Sequence, residues 1–81
     1  MSLDIDELKR KIIYRSNYRG TKEMDILLSS FVESIIRQLN KEELENLLNF
    51  LNIDDDNLFK YKQGLETEVQ VSENKITRLF K

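Results

Sequence analysis

The stretch Tyr18-Arg19-Gly20-Thr21-Lys22-Glu23-Met24-Asp25-Ile26-Leu27-Leu28 separates two segments of helical apolar periodicity. It carries one of only 2 glycines in a chain of 81 residues. The spacing predicts one helix ending at Arg19-Gly20 and a second, longer helix after it. Gly20 reads as the chain reversal. A glycine just past a helix end can take the left-handed conformation that costs other residues about 1–2 kcal/mol. Without a side chain, it also admits close approach by another backbone or by a partner surface. Arg19 near a helix C-terminus, and Glu23 and Asp25 in the following first turn, suit the two helix dipoles. Thr21 is the predicted N-cap of the second helix.

Upstream, Asp4 with Glu7 three residues later forms a capping-box pattern. Ile5, Leu8 and Ile12 follow at helical spacing, and Ile13 widens the stripe, so helix 1 is predicted from about Asp4 to Tyr18. Lys9, Arg10, Lys11 and Arg15 project away from that stripe. Tyr14 and Tyr18, four apart, share a face and read as packing residues. Downstream, Met24, Leu27, Leu28, Phe31, Val32, Ile35, Ile36 and Leu39 make a wide apolar face, which predicts a central helix. Asn40 and Glu43 form a second capping box ahead of Leu44, Leu47, Leu48 and Leu51. Asp54-Asp55-Asp56 lacks the internal glycine and distal glutamate of a calcium loop. It reads instead as an N-cap with acidic first-turn residues, opening a helix from about Asp56 to Gln63 that Gly64 stops. Leu58, Phe59 and Tyr61 are its expected anchors. Residues 65–72 read as a loop, and Ser72 as the cap of a last short helix with Ile76, Leu79 and Phe80 on one face.

Charged residues make up 35% and apolar residues 40% of the chain, a balance that suits a folded domain with a highly charged surface. The absence of proline and the scarcity of glycine favour long helices over strands and turns. The expected fold is therefore all-α, a single small antiparallel bundle of about five helices spanning residues 1–81. Cysteine and histidine are both absent. Disulfides, the usual zinc and haem ligands and the common nucleophilic triads thus have no residues to build on. An enzyme would have to use carboxylates, lysines and tyrosines alone, so catalysis by this chain is not expected. No apolar run approaches the roughly 20 residues of a membrane span. The acidic start, with Asp4, Asp6 and Glu7, is unlike a signal or transit peptide, which predicts a cytoplasmic protein or a processed form. The net charge of −2 is uneven: residues 1–22 carry +3 and the rest −5. A basic first helix on an acidic body suits an oriented electrostatic partner surface.

Arg19-Gly20-x-x-Glu23, followed by Met24-Asp25 and an aliphatic run, resembles the RGxxE signature of the FAD assembly factor family. Its mitochondrial members are called succinate dehydrogenase assembly factor 2. Family members look like a five-helix domain with an arginine-rich first helix, the RGxxE turn, an aliphatic and aromatic second helix, and later an Asp-rich turn before Leu-Phe and an aromatic residue. Here those features are Lys9–Arg15, residues 19–25, the helix through Phe31, and Asp54 through Tyr61. Order and spacing agree over roughly residues 8–64. Tyr61 stands where family members often have Trp, Asp56 where Pro is frequent, and the tail after Gly64 matches poorly.

The resemblance implies an assembly factor that binds the flavoprotein subunit of succinate dehydrogenase, extending to fumarate reductase, and promotes covalent FAD attachment. FAD then belongs to the client, and this chain holds no cofactor. It implies a monomer in the bacterial cytoplasm, or in the mitochondrial matrix for a processed organellar form. The implied partner-binding residues are Arg19, which would meet a client carboxylate or backbone; Gly20, which would allow close approach; and Glu23, which would reach the flavin-proximal region. Arg15 and Lys22 would steer encounter, and Asp25 completes the set. A structural reading stays open beside this one, in which Arg19 and Glu23 pair across the turn. Two other functions also stay open: nucleic-acid binding through the basic first helix, opposed by Glu23, Asp25 and Glu33 on the second, and a generic helical adaptor.

Overall fold

Helices form where a polar cap precedes an apolar period. The computed structural model describes residues 4–81. In α1 (Ile5–Ser16) the Asp4 carboxylate accepts the Glu7 N–H at 2.8 Å. The Thr21 hydroxyl accepts the Met24 N–H and opens α2 (Lys22–Ile35), whose end tightens into a 3₁₀ turn at Ile36–Gln38. A two-way capping box starts α3 (Lys41–Leu51): Glu43 N–H donates to Asn40 Oδ1 and Asn40 N–H to Glu43 Oε1, both at 2.9 Å. Asp54 caps α4 (Asp55–Lys62) and Asn74 caps α5 (Lys75–Phe80). The described residues contain no strand, so the chain is the all-α, five-helix fold the sequence predicts.

Burial follows the apolar faces. α1 packs most closely on α3 and then on α2, while α5 closes against α3. Ile12, Leu28, Leu44, Leu47, Leu58 and Ile76 are fully buried. One end of the core is aromatic: Phe80 lies edge-on to Phe50 and Phe31, with ring centroids 5.0 and 5.1 Å away, and Tyr61 lies edge-on to Phe50 at 6.4 Å. Such tilted geometries are the favoured ones for aromatic pairs. The loop after Leu65 is held at Glu68 by a buried amide. Asn57 Nδ2 donates to Asp54 Oδ1 at 2.7 Å, and Asn57 Oδ1 accepts the Glu68 N–H at 2.7 Å.

Several expectations change. The intimate backbone pair is α1 with α3, and α2 is less central than its wide stripe predicts; Leu27, Phe31 and Ile35 are only half-buried and Ile26 is exposed. Ile13 and Phe59 point outward, as does Leu79 in α5. α1 stops at Ser16, short of the predicted end, because the Ser16 hydroxyl and the Asn17 amide both turn back to donate to the Ile13 carbonyl. The left-handed residue of the first reversal is Tyr18, with φ +57°, not Gly20. Gly64 does take that conformation, with φ +76°, and its N–H closes on the Tyr61 carbonyl, as a helix-ending glycine should. The cap of α5 is Asn74 rather than Ser72, in a capping box with Thr77.

Truncating a fully buried side chain of α3 should remove a large share of the stability of so small a domain. Leu47→Ala is expected to cost about 2–5 kcal/mol, read as the shift of the urea midpoint. Acid should act through the caps. Backbone N–H groups donated to the carboxylates hold Asp4 and Glu43 below their usual range, and the Asn57 side chain and N–H do the same for Asp54. Groups with lowered folded values contribute stability at neutral pH and lose it as pH falls through those values, so the midpoint should hold down to about pH 5 and decline below about pH 4. Asp54→Asn keeps a cap acceptor but cannot titrate, and should flatten that decline.

Candidate partner-binding surface at the α1–α2 turn

After Ser16 the chain must reverse without any further helical hydrogen bonds, and other elements supply them. The Arg19 N–H donates to Asp25 Oδ1, one turn into α2. The Gly20 N–H donates to Asp55 Oδ2 at 2.8 Å. A Cβ on Gly20 would sit 3.2 Å from that oxygen, so glycine here serves close approach by a carboxylate of the same chain.

The Arg19 side chain turns inward and is 12% exposed. Its Nε donates to Asp55 Oδ1 at 2.7 Å. Nη1 donates to the Arg15 and Leu51 carbonyls at 2.9 Å each, and Nη2 to the Ile53 carbonyl at 3.0 Å. All three guanidinium nitrogens therefore bond within the chain, and both Asp55 oxygens are used. A planar fork fits this set of acceptors; a lysine ammonium, a point charge, would not. The neighbouring Arg15 adds a bond from Nη1 to Asn52 Oδ1 at 2.7 Å.

The structure thus divides the residues singled out in the sequence. Arg19, Gly20 and Asp25 meet in one hydrogen-bonded turn, and the ion-pair partner of Arg19 is Asp55 rather than Glu23. Glu23 and Lys22 stand exposed in the first turn of α2 and make no ion pair among the described residues. Arg15 is exposed along α1. An open cleft of about 720 Å³ runs between the end of α1 and the start of α4, bounded by Tyr14, Arg15, Tyr18, Gly20 and Asp55 among others. From the sequence, Asp55 belongs to an N-cap with acidic first-turn residues and has no assigned distant partner. The available signal was that Asp54 alone satisfies the cap, leaving Asp55 free to reach elsewhere. Tyr14 and Tyr18, expected as packing residues, are both exposed and lie against each other with centroids 5.4 Å apart.

Because four acceptors converge on one guanidinium, Arg19→Lys should destabilise by about 1–3 kcal/mol in urea unfolding, the pair being partly screened by solvent. Glu23→Gln, in the same motif but outside this network, should stay within about 0.5 kcal/mol of wild type.

Residues 10–81 match the family described as "Flavinator of succinate dehydrogenase". The chain is 32% identical over 79 residues to the mitochondrial succinate dehydrogenase assembly factor 2 of Aspergillus flavus, covering 96% of this chain and 27% of that protein. It is 38% identical over 56 residues to the FAD assembly factor SdhE of Acetobacter pasteurianus, covering 69% of this chain and 51% of that one. Against the Dictyostelium discoideum succinate dehydrogenase assembly factor 2 it is 33% identical over 73 residues, covering 82% and 52%. The chain thus spans between about a quarter and a half of the length of these relatives. No solved structure matches it. With the match running from within α1 to the last residue, and so through the whole Arg19–Asp55 turn, this chain belongs to the succinate dehydrogenase flavinator family.

Proposed function

We propose that this chain is an assembly factor that binds the flavoprotein subunit of succinate dehydrogenase and promotes the covalent attachment of FAD to it. The observation that carries the reading is the division of labour in the turn. Arg19, Gly20, Asp25 and Asp55 satisfy one another and fix the backbone, while Glu23 is left exposed and without an ion pair at its edge. A charged group held on a rigid turn can enter a partner's surface without first being ordered. Lys22 and Arg15 flank it and steer encounter through their charge. Arg19 acts here by shaping the turn, and its nearest client contact is through the backbone it positions.

FAD belongs to the client in this reading, and the chain holds no cofactor. With no histidine or cysteine of its own, it offers no covalent link to flavin and acts by holding an immature client so that the client's own groups react; alignment of reacting groups is a recognised source of rate. It works as a monomer, in the bacterial cytoplasm or the mitochondrial matrix. The names of its bacterial and mitochondrial relatives support both settings. No helix among the described residues is long and apolar enough to cross a membrane.

The test is to mix the chain with its apo flavoprotein subunit, FAD and a dicarboxylate, and to read covalent flavin fluorescence on a denaturing gel. Attachment should rise with the wild-type chain and fall about tenfold or more with Glu23→Lys, whose melting midpoint stays near wild type. Equal attachment with and without the chain would overturn the reading.

A further inference from the structure

We propose that the cleft between the end of α4 and residues 65–71 binds a cationic, amphipathic segment of a partner polypeptide. An arginine or lysine of that segment seats on the Tyr61 ring, and a neighbouring apolar side chain fills the cleft beside it. The cleft shares no lining residue with the one at the α1–α2 turn. Its chemistry is independent of the function proposed above.

The shape comes from the way α4 ends. Gly64 N–H donates to the Tyr61 carbonyl at 3.1 Å, and Leu65 N–H to the Lys60 carbonyl at 2.8 Å. This pair of bonds closes the helix and reverses the chain. Glu68 is then tied back to α4, its N–H by Asn57 Oδ1 and its carboxylate by Lys60 Nζ at 3.2 Å. The result is an open cleft of about 480 Å³ whose apolar lining is Tyr61, Leu65, Val69 and Val71. Tyr61 and Val71 pack partly on the core, but Leu65 is 58% and Val69 42% exposed. Scattered apolar residues are ordinary on a protein surface. Four around one cleft give a partner's apolar side chain something to bury against.

Charge selects the partner. Residues 64–74 carry Glu66, Glu68 and Glu73 and no lysine or arginine. Glu68 shares Lys60 with Asp56, and Glu66 makes no ion pair among the described residues. Glu66 and Glu68 both line the cleft, so its rim complements a cation and repels a polyanion. The chain itself shows how a cation sits there. Lys81 also lines the cleft, and its Nζ lies over the Tyr61 ring, 5.4 Å from the centroid. The negative face of the ring attracts the ammonium. A guanidinium makes the same contact as a flat plate and is less strongly hydrated, so a partner arginine displaces Lys81.

The test titrates the isotope-labelled full chain with three short synthetic peptides. One pairs leucine with arginine; the second has glutamate in place of arginine; the third has serine in place of leucine. The leucine–arginine peptide should shift amides centred on residues 61–71 and bind about tenfold more tightly than the serine–arginine peptide, and the leucine–glutamate peptide should leave those amides unmoved. Glu66→Lys and Val69→Ser should each weaken Kd about fivefold with little change in melting midpoint, both side chains being exposed. Tyr61 distinguishes a seat for a cation from a merely acidic surface. Tyr61→Phe keeps the ring and should hold Kd within about twofold, whereas Tyr61→Leu keeps apolar bulk and should weaken it about threefold. Because Tyr61 also meets Phe50, both variants are titrated well below their melting midpoints. Lys81→Ala removes the competing cation and should tighten binding about threefold. Unmoved amides at residues 61–71, equal binding of the glutamate peptide, or a Kd indifferent to Glu66→Lys and Tyr61→Leu would overturn the proposal. So would self-association of the chain that Glu66→Lys abolishes, which would assign the cleft to a second copy.

Discussion

One guanidinium joins three helices. The Arg19 side chain lies where α1 has ended, where the last carbonyls of α3 and the segment after it have no helical partner, and where α4 begins. Carbonyls at a helix C-terminus carry partial negative charge, and N–H groups at an N-terminus carry partial positive charge. A cation among the first and a carboxylate, Asp55, at the second therefore satisfy the dipoles of α3 and α4 as well as each other. Remove the planar cation and several orphaned acceptors remain around one unpaired, partly buried carboxylate. The α1–α2 turn, the α3–α4 joint and the exit from α1 all depend on that one side chain.

The same arrangement explains why a short motif can be both structural and functional. Arg19 turns inward and the Gly20 N–H bonds Asp55, so both build the turn; Glu23 is exposed and is presented. Thr21, whose hydroxyl caps α2, fixes the helix phase that decides where Glu23 points. The spacing of the motif is therefore a statement about geometry: two residues, Thr21 and Lys22, separate a turn-building glycine from an exposed acid in the first helical turn.

The sequence was most informative where a local rule suffices. The caps at Thr21, Asn40 and Asp54, the burial of Leu8, Ile12, Leu44 and Leu47, and the glycine stop at Gly64 all follow from interactions within a few residues. It was least informative where distant residues decide. Gly20 looked left-handed because helix-ending glycines usually are, but Asp55, 35 positions on, pulls its N–H the other way and passes the positive φ to Tyr18. α2 looked central because its stripe is wide, yet a wide stripe cannot reveal that α1 and α3 approach each other more closely. Arg19 looked available for a partner because three of its four acceptors are more than thirty residues away, and only the Arg15 carbonyl is local. Tyr14 and Tyr18 sit at helical spacing, which fixes their common face and not whether that face meets protein or water.

The Gly20 N–H has a kinetic meaning as well. An exposed turn ordinarily opens by itself and exchanges its amide hydrogens quickly. Here the Arg19 and Gly20 amides are bonded to carboxylates on α2 and α4, and Arg19 bonds in turn to carbonyls at the end of α3. Opening the turn thus requires loosening elements that are themselves anchored in the core. The turn belongs to the same cooperative unit as α1 and α3, and its amides should exchange on the slow timescale of that unit.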